Sequence, residues 1–212
     1  MNEVRIPAGR ATLDGNLTIV DGATAIVLFV HGSGSSRHSP RNQFVARTLN
    51  KAGLATLLFD LFTPEEESID ARTAELRFNI MLLAERLVHA TNWAKEEETR
   101  DLRIGYFGSS TGGAAALVAA AEIPHAVGAV VSRGGRPDLA GEALSKVQAS
   151  TLLIVGGNDD IVIELNEQAR DRMRCEVKLE IVPGATHLFE EPGALERVAQ
   201  MASDWFVTHI GR

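Results

Sequence analysis

The sequence predicts an α/β domain: a doubly wound, mostly parallel sheet with helices on both faces. Three observations predict it. Short apolar runs of strand length recur along the chain, helical stripes lie between them, and no linker, repeat or low-complexity segment interrupts the alternation. The chain has 212 residues, enough for one good core and too few for two comfortable domains, so residues 1–212 read as a single domain.

The elements follow in order. Residues 1–20, with Gly9 and Asp14-Gly15 as turn signals, predict one or two antiparallel strands. Ala25–Val30 (AIVLFV) is the first apolar run, ending in the glycine-rich turn HGSGSS. Phe44, Val45 and Leu49 mark a helix after Pro40, and residues 54–59 form the next run. Leu76, Ile80, Leu83, Leu87, Ala90 and Ala94 step by four and three, one stripe of a long helix. The runs 102–107, 126–131 and 151–155 suit central parallel strands buried on both faces, with a small-residue helix at 114–121. Val177, Leu179 and Ile181 instead alternate with Glu176, Lys178 and Glu180, which predicts a half-exposed strand near the sheet edge. Leu195, Val198, Ala199, Ala202, Trp205 and Phe206 form the buried stripe of a C-terminal helix, its start marked by Glu190, Glu191 and Pro192.

Composition narrows the function. The chain is 45% hydrophobic and 23% charged, with a formal charge of −7. An acidic globular protein of this kind has no electrostatic reason to bind nucleic acid or an anionic membrane. A lone cysteine, Cys175, excludes a disulfide within the chain, and the scattered histidines form no metal-binding pattern. The first residues, MNEVRIPAGR, contain no apolar leader core, and no apolar run is long enough to span a bilayer, so a cytoplasmic location is expected. HGSGSS lacks the Lys-Ser/Thr ending of a phosphate-binding loop.

The chemical signal is Gly108-Ser109-Ser110-Thr111-Gly112, a G-x-S-x-G turn between an apolar strand and a helix. A sharp turn there lifts the Ser110 hydroxyl to the top of the sheet, beside a helix N-terminus. Such a serine needs a base, and His187 lies in the loop after the last strand. An acid is expected after the preceding strand, where Asp159 and Asp160 are adjacent and cannot both face His187; Asp159 is preferred. The order Ser, Asp, His is that of α/β-hydrolases. His187 would take the Ser110 proton while the acid holds its tautomer, and backbone N–H groups of Thr111 and Ser33 would meet the oxyanion. No cofactor is expected, because a triad supplies its own nucleophile and base.

HGSGSS, GYFGSSTGG, LLIVGGNDDIVIELN and VPGATHLFEEPG together resemble the dienelactone-hydrolase-like branch of the α/β-hydrolase superfamily. They are especially similar to bacterial hydrolase domains found fused to phosphoribosyltransferases. The resemblance spans residues 25–210 with its motifs in order. It implies the α/β-hydrolase fold and carboxylic-ester hydrolysis. In those relatives the acid matches the first aspartate after the GG-x element, here Asp159. Dienelactone hydrolase proper uses a cysteine where Ser110 stands, and Cys175, ahead of a different strand, cannot replace it, so dienelactone itself is in doubt as a substrate. No acidic phosphate motif of a phosphoribosyltransferase is present.

The stretch between Val131 and Thr151 is too short for a helical cap domain, so an open, shallow pocket for a small soluble ester is expected. The loops at the same end carry Arg37, His38, Arg41, Arg133 and Arg136, of which Arg37 and Arg136 are candidates to bind a substrate carboxylate; the alternative is solvated or ion-paired arginines. An acyltransferase, thioesterase or peptidase with the same triad, or a non-catalytic binding protein on this fold, are the other readings.

Overall fold

In the computed structural model, which describes residues 1–211, the chain opens with a hairpin of β1 (Asn2–Ala8) and β2 (Ala11–Thr18). Its turn lies at Gly9-Arg10; Asp14-Gly15, expected to be a turn, is inside β2, where the tight packing of Gly15 against Val4, Ile6 and Leu57 explains the small residue. There follow β3 (Ala25–Val30), α1 (Pro40–Lys51), β4 (Ala55–Phe59), α2 (Pro64–Thr73), α3 (Ile80–Glu96), β5 (Arg103–Ser109) and α4 (Thr111–Glu122). The remainder is β6 (Val127–Arg133), a 3₁₀ segment (Pro137–Lys146), β7 (Ser150–Gly156), α5 (Asp160–Arg172), β8 (Val177–Val182) and α6 (Ala194–His209).

The strands form one eight-stranded sheet in the order β1-β2-β4-β3-β5-β6-β7-β8. The first two pairings, β1 with β2 and β2 with β4, are antiparallel, and the rest are parallel. The half-exposed strand is β8, at the edge as its alternation predicts. Alternate residues of the central strands divide the core. Ile26, Leu28, Val30, Tyr106 and Val130 pack on the side of α3 and α4. Val27, Phe29, Phe107, Val131 and Ile154 pack on the side of α1 and α6. α4 is a run of alanines, and its fully buried small side chains let it approach the sheet closely.

Several boundaries differ from expectation. Leu76 precedes α3 rather than belonging to it: the buried Asp70 carboxylate accepts the Leu76 and Arg77 N–H groups at 2.8 and 3.0 Å, and Asn79 caps the helix. α2 has no apolar stripe to reveal it and is held instead by a capping box between Thr63 and Glu66. α6 starts only after Gly193, which occupies the N-cap with φ 81°, so Glu190, Glu191 and Pro192 stay in the preceding loop. Phe206 is fully buried, while Trp205 is half-buried and donates its indole N–H to Ser150 O. Between β6 and β7 stands only the 3₁₀ segment, and no cap domain is inserted. Among the described residues no helix is long and apolar enough to cross a membrane.

Candidate active site

The turn between β5 and α4 puts Ser110 at φ 52°, ψ −123°, a backbone conformation that L-residues rarely adopt. Two glycines make the turn possible. A Cβ on Gly108 would lie 2.5 Å from Gly112 O, and one on Gly112 would lie 2.2 Å from Val30 O. The strained residue is pinned from several sides: Ser110 N–H donates to Arg133 O at 3.4 Å, and Ser110 O accepts from Gly113 and Arg136 N–H at 3.0 and 3.1 Å. β5 lies between β3 and β6, so the loops after both strands flank the serine.

The loop after β3 packs directly on the Ser110 turn. A Cβ on Gly32 would lie 3.0 Å from the Ser110 Cβ. Ser33 Oγ and Thr111 Oγ1 are 3.2 Å apart, bringing together the two residues expected to face an oxyanion. Thr111 is the first residue of α4, where an amide has no acceptor within its own helix. His31 straps this loop in place. Its Nε2 accepts from Leu61 N–H at 3.1 Å, so the proton sits on Nδ1, which donates to Gly32 O at 3.0 Å. Burial, partly opposed by the Gly32 bond and the charges of Asp60 and Glu67, lowers the pKa of His31 and keeps the ring neutral.

Across the site, β7 and β8 end in the loops that carry Asp159 and His187. His187 Nδ1 donates to Asp159 Oδ2 at 2.7 Å, leaving Nε2 for another partner. Asp159 occupies the N-cap of α5 but makes no capping bond, because its carboxylate is turned to His187. Asp160 is the first residue of this helix. The His187 loop is closed by the Thr186 hydroxyl, which donates to Glu191 at 2.6 Å, and by Phe189, buried at φ 56°. His187 meets the serine side of the site at Gly134, where a Cβ would lie 3.5 Å from His187 Cε1. Ser110 Oγ has no hydrogen-bonded side-chain partner among the described residues; catalytic serine–histidine bonds are often long until substrate is bound.

The sequence matches the dienelactone hydrolase family over residues 14–208. The chain belongs to that family. It is 60% identical to the dienelactone hydrolase of Anabaena variabilis, whose crystal structure superposes with a TM-score of 0.98 over 99% of this chain and 97% of that one. It is 56% identical over 209 residues to a Mycobacterium tuberculosis protein that bears the name of a phosphoribosyl transferase. The match takes in 98% of this chain and 46% of that protein, so the chain spans about half the length of the curated relatives it matches. Est1E of Butyrivibrio proteoclasticus shares the fold at 16% identity, with a TM-score of 0.81 over 98% of each chain. The fold is thus the α/β-hydrolase fold, and family membership supports a hydrolase.

The arginines are arranged unequally. Arg37 is ion-paired through its side chain with Asp60, which also accepts the Arg37 N–H at 2.7 Å. Arg136 forms a two-pronged pair with Asp138 at 2.9 and 2.8 Å. Arg41 pairs with Glu190 at 3.1 Å. Among the described residues Arg133 has no acid partner; it is buried, and its guanidinium carbon lies over the Phe189 ring, 5.9 Å from the centroid. Sequence reasoning groups Arg133 with the loop arginines. The available signal was its register, since it continues the inward-facing series Ala129, Val131 of β6. A surface hollow of about 840 Å³ lies elsewhere, between the β1–β2 turn and α2. It contains none of Ser110, Asp159 and His187, and its buried Arg86 is already bonded to Glu66 and Ala8 O.

Proposed function

We propose that this chain is a serine hydrolase that cleaves small, soluble carboxylic esters through an acyl-enzyme on Ser110. The observation that carries the reading is the strained Ser110 turn standing at the same sheet end as the 2.7 Å His187–Asp159 pair. His187 Nε2 accepts the Ser110 proton as Oγ attacks the ester carbonyl, then returns it to the leaving alcohol. Water attacks the acyl-enzyme by the same proton route in reverse. Asp159 holds the His187 proton on Nδ1 and stabilises the imidazolium. The Thr111 and Ser33 amides receive the oxyanion, with Gly32 keeping the second loop close enough for both to reach it.

The absence of an inserted cap among the described residues and the name of the Anabaena relative both support small soluble esters over long-chain lipids. Hydrolysis of p-nitrophenyl acetate and butyrate by the wild type and Ser110→Ala tests the reading. Loss of activity in a folded Ser110→Ala protein is expected. Equal activity in both proteins removes Ser110 from catalysis. If neither is active, labelling by a fluorophosphonate distinguishes an unsuitable ester from a site without a nucleophile.

A further inference from the structure

The segment from Arg133 to Arg136, at the end of β6, touches every part of the candidate triad. Arg133 O accepts the Ser110 N–H at 3.4 Å, and Arg136 N–H donates to Ser110 O at 3.1 Å, so the segment grips the strained serine through both its backbone groups. Gly134, at φ 51°, lies against His187: a Cβ there would stand 3.2 Å from His187 O and 3.5 Å from His187 Cε1. Gly135 has a different neighbour. Its carbonyl accepts a side-chain N–H of Asn166 at 3.1 Å.

Asn166 belongs to α5, the helix that Asp159 opens. It stands about two turns beyond Asp159, on the buried face shared with Val162 and Ala169. The side chain is fully buried. Its Nδ2 also donates to Val162 O at 2.7 Å, which fixes the orientation of the amide: the flipped group would set Oδ1 against two carbonyl oxygens. Oδ1 has no hydrogen-bond partner among the described residues. A buried carbonyl without a donor costs stability, and natural chains tolerate such a cost where position counts. Gly135 is also tightly packed on the side of α4. A Cβ on Gly135 would lie 1.9 Å from Ser132 Oγ, and one on Gly113, in the first turn of α4, would lie 2.5 Å from the same atom. A shift of Gly135 is therefore passed on to the Ser110 turn by packing as well as by the Arg136 bond.

We propose that Asn166 is a positioning residue for the reaction, a strut that holds the Asp159-bearing helix to the Ser110 turn through Gly135 and Arg136. The role rests on the serine-hydrolase reading above. Asp159 and His187 make their own bond without it; Asn166 sets the distance at which that pair meets Ser110. A displacement of about 1 Å between reacting groups can cost on the order of 100-fold in rate.

The test compares three variants. Asn166→Leu keeps the volume and removes the strut. Asn166→Ser has a hydroxyl that can still bond Val162 O within the helix but cannot span to Gly135, and it serves if the Leu variant does not fold. Thr91→Val is the control: it cuts the buried 2.6 Å bond between Thr91 and Tyr106 on the α3 side of the sheet. The readouts, per folded molecule and well below Tm, are kcat and KM for p-nitrophenyl butyrate, the rate of fluorophosphonate labelling, and hydrogen exchange of the Arg136 amide. Both Asn166 variants are expected to turn over and label about 10- to 100-fold more slowly, with KM within about twofold of wild type. Their Arg136 amide is expected to exchange at least about 10-fold faster. All three variants are expected to lose some Tm, while Thr91→Val keeps wild-type rates and wild-type exchange at Arg136.

In a reactive enzyme, unchanged turnover and labelling in the Asn166 variants overturn the proposal whatever happens to Tm, and so does an equal loss of rate in Thr91→Val. A wild type that neither cleaves the ester nor takes the label overturns the serine-hydrolase reading instead. Faster Arg136 exchange in the Asn166 variants then upholds the strut, and unchanged exchange overturns it as well.

Discussion

The two ends of the same parallel strands are built to different standards. At the amino end, Gly105 and Gly128 lie against Phe206 and Ile210, contacts between a strand and flexible side chains. At the carboxyl end, glycine meets backbone: Gly108 faces Gly112, and Gly112 faces Val30. The carboxyl end also holds Ser110 and Phe189 at positive φ, and Arg133, whose Nε has no hydrogen-bond partner among the described residues. Strain and unmet polarity thus collect where chemistry is proposed, while the other end is ordinary packing.

The contrast can be broken most sharply by Asp159→Asn. It keeps the shape of the 2.7 Å contact with His187 but favours the wrong tautomer, so kcat is expected to fall about 10³- to 10⁴-fold with little change in Tm. An unchanged kcat would falsify the assignment of the acid. Gly112→Ala is next: its methyl group would meet backbone that cannot rotate away, and about 3 kcal/mol of stability is expected to be lost with most of the activity. Gly105→Ala at the opposite end forces only the Phe206 and Ile210 side chains to shift, and denaturant titration is expected to show a loss of about 1–2 kcal/mol. Its kcat/KM per folded molecule is expected to stay at the wild-type value.

A smaller effect concerns His31. Its pKa is depressed in the folded state, so its contribution to stability is present above the unfolded value of about 6.5 and is lost as pH falls below it. Thermal melts between pH 7.5 and pH 5 are expected to fall more steeply for the wild type than for His31→Gln; parallel curves would remove the strap from this account. Smallest of all is Arg136→Ala, which breaks a partly exposed ion pair and is expected to cost under about 1 kcal/mol.

Much of the fold was readable because burial dictates pattern. Central strands buried on both faces must be continuously apolar, and the edge strand β8 must alternate, so Ala25–Val30 and Val177–Val182 declare their places. The candidate site was legible where backbone geometry restricts residue choice, as at Gly108 and Gly112 around Ser110. It was less readable where pairing decides. Whether an arginine is neutralised depends on Asp60, Asp138 or Glu190, residues whose proximity only the folded chain reveals, and for that reason Arg133 did not stand apart from Arg37 and Arg136. α2 escaped notice because a capping box, an anchored Asp70 and the Arg86–Glu66 pair hold it in place of an apolar stripe.

The Ser110 turn has a kinetic consequence. Nothing local favours φ 52° at a serine; the conformation is imposed by Val30 and His31 against Gly112, and by Arg133 and Arg136 on the Ser110 backbone. These contacts join segments far apart in the chain, and parallel pairings of that kind close late because their loop entropy must be met first. Helices such as α4 can return early in refolding, while the Ser110 turn is assembled only when β3, β5 and β6 lie side by side. Recovery of fluorophosphonate reactivity is therefore expected to lag behind recovery of helical circular dichroism, so that partly folded chains carry the serine without its reactivity.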